Sequence, residues 1–185
     1  DLVENPKNEL IKVASESYEM LSEGHLPVGK SIDFSSDPIK INVRKGEAIQ
    51  ISIAPNANHG ADTTLIDLKI KHQTDSGNLE WSTQDLIDIL TKANPLNSNK
   101  GIWYFLDIGP EGPRLLNEKA EAIDGQSTLK KWSPGNLPSV AVNTSKNPVK
   151  VWTEIPARSF FVHPSAQSPV AVTWISPVTG KIEIE

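Results

Sequence analysis

Five short apolar runs crowd the last quarter of the chain, at residues 139–144, 149–155, 158–163, 170–175 and 181–185. Asn147-Pro148, Pro156, Pro164 and Pro177 stand between them. Proline has no N–H to give to a sheet ladder, so each one stops a strand and sets a turn. Turn signals roughly ten residues apart are what sandwiches and closed barrels produce. A mainly β chain, folded as a β-sandwich, is therefore expected.

The upstream half reads the same way. Ile39, Ile41 and Val43 alternate with Lys40, Asn42 and Arg44, and after a turn at Lys45-Gly46 Ile49, Ile51 and Ile53 alternate with Gln50 and Ser52. These two runs are expected to pair as a hairpin. Ile66, Leu68 and Ile70 predict a third strand over 64–71. The run 102–106 is apolar on both faces, as in a central strand. Helices enter at three places. Asn5 as a cap, Pro6 in the first turn, and Leu10, Ile11, Ala14, Tyr18 and Leu21 at helical spacing predict an N-terminal helix ending at Gly24. Residues 1–30 are thus read as a helical linker and 31–185 as the sandwich. A short surface helix is expected over 83–93, and the Gly-, Pro- and charge-rich excursion 109–138 is read with small helices near 115–123 and 129–132. The final run alternates Ile182 and Ile184 with charged residues up to Glu185. It reads as truncated, leaving an edge that a chain completing the sheet after Glu185 would cover.

A length of 185 residues suits one principal domain, which needs neither disulfide nor metal to fold. The chain has no cysteine, which excludes thiolate zinc, iron–sulfur and c-type haem sites within it. Eighteen basic against 23 acidic residues, dispersed, argue against nucleic acid as a partner. No apolar run approaches the length of a membrane span.

The four histidines, His25, His59, His72 and His163, show no metal-ligand spacing, and no nucleophile elbow or phosphate loop occurs. The loop around residues 56–67 concentrates oxygen donors. Asn56, Asn58 and Asp62 are candidate ligands for a structural calcium, which takes six to eight oxygens. Alternatively Asp62 and Thr63 cap backbone amides and Gly60 supplies a positive φ. No other cofactor is expected. Among five tryptophans, Trp103 and Trp174 read as core, while Trp81 and Trp132 fall in irregular stretches. Pleat parity over 149–155 puts Val149, Val151 and Ile155 on one face and Lys150, Trp152 and Glu154 on the other. An aromatic platform between a cation and a carboxylate suits a sugar ring, so Trp152, Lys150 and Glu154 are the candidate ligand-binding residues. The opposing possibility is that Trp152 belongs to a second, minor core.

Three stretches carry a resemblance that covers roughly residues 40–185. They are Val43-Arg-Lys-Gly-Glu-Ala-Ile49 leading to His59-Gly-Ala-Asp-Thr-Thr64, Gly101-Ile-Trp-Tyr-Phe105, and the run from Val151 through Val162-His-Pro164 to Val172-Thr-Trp-Ile-Ser-Pro-Val-Thr-Gly180. With these the chain resembles the β-rich region of multidomain planctomycete proteins that combine planctomycete-type cytochrome c domains with domains of unknown function. The resemblance implies a jelly-roll-like sandwich, a periplasmic or cell-surface location and a setting of polysaccharide breakdown. Haem binding does not carry over, because no Cys-x-x-Cys-His is present. The expected function is a non-catalytic, carbohydrate-binding-like module of a larger exported bacterial protein, its partner a polysaccharide. The alternative is a structural or assembly domain that positions neighbouring cytochrome or enzyme domains of the same polypeptide. An enzyme would need Asp62, His59 and Arg158 to converge in a groove.

Overall fold

The computed structural model of the chain describes residues 8–14, 17–33, 35–55, 60, 62–74 and 77–185. Its architecture is mainly β, with antiparallel sheets arranged in a sandwich-like manner around shared apolar side chains. One sheet contains β1 (Asn8–Ala14), β2 (Ser17–Gly24), β4 (Ala48–Ile53), β8 (Leu96–Ser98), β9 (Gly101–Gly109), β10 (Gly112–Leu115) and β17 (Val170–Ile175). A second contains β3 (Ile39–Val43), β6 (Lys69–Thr74), β7 (Gly77–Ser82) and β18 (Gly180–Ile184). The third contains β5 (Thr64–Leu65), β11 (Glu118–Ala120), β12 (Leu129–Ser133), β13 (Ser139–Asn143) and β16 (Ser159–His163). A separate hairpin joins β14 (Val149–Lys150) to β15 (Glu154–Ile155).

The main core draws on all three sheets: Ile49, Trp103, Phe105, Val172 and Trp174 from the first, Ile70, Ile182 and Ile184 from the second, Val140, Val142, Phe160 and Val162 from the third. The third sheet has a second buried face, where Ala141, Phe161 and Leu129 meet Ile123 and Ile155. Its strands β13 and β16 are therefore buried throughout, which explains why they read as continuous apolar runs.

Several sequence expectations need correction. The N-terminal helix is instead the β1–β2 hairpin, with Asn5 and Pro6 outside the described residues. Its register shifts between Leu10 and Ile11, because Leu21 is an extra residue on β2. That bulge breaks the period of two and mimics helical spacing. The 83–93 helix is reduced to 3-10 turns at Thr83–Leu86 and Leu90–Lys92. The excursion 109–138 contributes strands to two sheets, and no helix occupies 115–123 or 129–132.

β3 and β4 do not pair. The turn between them carries the chain from one sheet to another, as does the turn between β17 and β18. These two corners are zipped together. Gly46 N donates to Ser176 O and Ser176 N to Glu47 O, both at 2.8 Å, and Lys45 N donates to Thr179 Oγ1 at 3.0 Å. The run 64–71 is broken at 66–68, where buried Thr83 accepts from Leu68 N and donates to Ile66 O, each at 3.1 Å. Strand β18 lies between β3 and β6, so it is no edge and the reason for a completing chain beside it disappears.

Candidate functional site

The β14–β15 hairpin lies over the outer face of the third sheet, and one asparagine secures it. Asn143 is fully buried at the end of β13. Its Nδ2 donates to the carbonyls of Asn147, Ile155 and Pro156 at 3.2, 3.3 and 2.8 Å, and its Oδ1 accepts from Ser145 N at 2.9 Å. Nδ2 carries two hydrogens, so these three contacts share them. The side chain ties both ends of the 144–156 segment to the sheet.

Residues 149–155 are thus a hairpin rather than one strand, with the chain reversing at 151–153 and Val151 N donating to Thr153 O at 2.9 Å. Val149, Val151 and Ile155 still pack inward, against Phe161, Ala141 and Leu129. They form the minor core, and Trp152 is not in it. Lys150 and Glu154 are cross-strand partners, and both are exposed. Trp152 sits at the tip, 48 % exposed, while the other four tryptophans are at most 9 % exposed. Its Nε1 donates to Thr63 Oγ1 at 3.0 Å. That bond holds the polar edge of the indole, so the surface offered to solvent is largely ring carbon.

Of the calcium candidates, Asn56 and Asn58 lie outside the described residues, as does His59. Asp62 is half-buried, and its carbonyl accepts from Thr64 Oγ1 at 3.2 Å. Among the described residues no group of three His, Cys, Asp or Glu side chains is placed to hold a metal. Arg158 is engaged elsewhere. Its Nη1 and Nη2 donate to Asp88 Oδ1 and Oδ2 at 2.5 and 2.7 Å. This bidentate hydrogen bond lowers the Asp88 carboxyl below its ordinary value and raises Arg158 above its own. Of the constellation an enzyme would need, Arg158 is thus paired with Asp88, and His59 lies outside the described residues.

Sequence reasoning passes over Asp107. With β9 expected to end at 106, its place on the core face was not apparent; the strand runs on to Gly109 and puts Asp107 in phase with Trp103 and Phe105. It lines a cleft of about 360 Å³ with Gly109, Arg114, Pro138, Ser165 and Ser168. No family model, curated protein or solved structure matches the chain.

Proposed function

We propose that the chain is a non-catalytic, carbohydrate-binding-like module, with a jelly-roll-like sandwich as its frame, belonging to a larger exported bacterial protein. One observation carries this reading: Trp152 alone among the tryptophans faces solvent, with its indole N–H bonded to Thr63 and the exposed cross-strand residues Lys150 and Glu154 on the same hairpin. A fixed aromatic face loses little entropy on stacking against the C–H face of a sugar, and Lys150 and Glu154 can hydrogen-bond its hydroxyls. Electrophoresis through gels containing xylan, hydroxyethyl cellulose or mixed-linkage glucan tests it. The chain is expected to be retarded in at least one, and Trp152→Ala to run freely. Equal mobility with and without every polysaccharide overturns the reading.

An assembly domain is the second reading, favoured by a different observation. On the other face of the first sheet Ile102, Leu106, Ile108 and Ile175 stay half-buried and belong to neither apolar cluster. A neighbouring domain of the same polypeptide would cover that face. In that case Tyr104→Glu, in the same row of side chains, would abolish docking of the neighbour and leave any polysaccharide retardation unchanged.

A further inference from the structure

We propose that Asp107, Gly109 and Arg114 form a second binding site, for a neutral ligand with vicinal hydroxyls, in the cleft where the β9–β10 hairpin meets the segments 137–138 and 165–168. The site does not depend on Trp152, which stands on the outer face of the third sheet.

Asp107 is 6 % exposed, and its Oδ1 has no hydrogen-bond partner among the described residues. An unpaired buried carboxyl oxygen forfeits its hydration and gains nothing in return, so a ligand hydroxyl that donates to it would restore a hydrogen bond the fold lacks there. Arg114 is the cross-strand partner of Asp107. Its Nη2 is 3.5 Å from Asp107 Oδ2 and its Nη1 3.4 Å from Glu111 Oε2. Charge-assisted bonds run at about 2.7–2.9 Å, so both contacts are loose. The Arg114 side chain is 58 % exposed, so its guanidinium retains donors for a ligand in the cleft. Gly109 leaves the necessary room: a Cβ there would lie 3.2 Å from Arg114 Nη2 and 3.7 Å from Asp107 Oδ1.

Charge selects the ligand. Two carboxylates disfavour an anion, and the guanidinium beside them disfavours a cation. A hydroxyl satisfies both sides, since it donates to Oδ1 and accepts from Arg114. Adjacent hydroxyls can make both bonds at once.

Amide NMR of the folded chain, titrated with myo-inositol, glucose and mannose, tests the site. At least one is expected to shift the Gly109, Arg114 and Ser168 resonances saturably. Half-saturation should rise by about tenfold or more in Arg114→Ala and in Gly109→Ala, and stay unchanged in Trp152→Ala. Asp107→Asn should lose the response, because the carboxylate that accepts the hydroxyl's hydrogen bond is removed. The proposal is overturned by no shift at these amides, by shifts with calcium chloride or sodium acetate instead, by an unchanged response in both variants, or by an unchanged response in Asp107→Asn. Loss of the response in Trp152→Ala alone would assign it to the hairpin.

Discussion

At the residue scale, Gly101 shows how little freedom the core leaves. Its φ is +90°, and a Cβ would fall 3.1 Å from both Trp174 Nε1 and Trp81 Cδ1. Those two indoles pack with centroids 5.0 Å apart. Gly101→Ala therefore combines left-handed strain of about 1–2 kcal/mol with displacement of a buried ring. Urea unfolding should show a loss of roughly 2 kcal/mol or more, and an unchanged midpoint would contradict the packing described. Arg158 meets a related constraint with φ +48° and keeps it while its guanidinium grips Asp88. Arg158→Gly should accordingly be more stable than Arg158→Ala by about 1 kcal/mol in the same assay, since both lose the ion pair and only alanine keeps the strain.

At the scale of elements, polar side chains fill gaps that strands leave. β8 pairs with β9 at 101–103 and β10 pairs with it at 106–109. Between them Asn94 takes the place of a strand. Its Oδ1 accepts from Phe105 N at 3.0 Å, and its Nδ2 donates to Phe105 O at 2.7 Å and Leu116 O at 2.8 Å. Asn94→Ala should cost about 1–3 kcal/mol by leaving the Phe105 amide unpaired, with that amide exchanging faster in hydrogen-exchange experiments. Protection equal to the parent's would refute the role. Such substitutions by side chain leave no periodic signal, and the helix expected over 83–93 is two short 3-10 turns that bury Leu86 and Leu90. Strands buried on both faces, such as β13 and β16, were legible from their apolar runs. The β1–β2 hairpin was not, because the bulge at Leu21 shifts every later side chain by one position.

At the scale of the whole molecule, the zipped corners at 44–47 and 176–179 let two pairs of strands cross between sheets together, so the sheets share one core. Pairing partners were the least legible feature, since alternation reports which face is buried and says nothing of which strand lies alongside. β3 and β4 are adjacent in sequence and alternate alike, yet they belong to different sheets. The site was legible in a similar, partial way. Parity separated Trp152, Lys150 and Glu154 from the inward residues, although the segment is a hairpin, whereas Asp107 required knowledge that β9 continues past Leu106. The most direct test of the proposed function is tryptophan fluorescence of the folded chain titrated with the polysaccharide that retards it most. Four tryptophans are buried, so the response reports Trp152. A saturable spectral shift in the parent, absent from Trp152→Ala at unchanged Tm, is the expected result. An equal shift in the variant, or none in the parent, would contradict it.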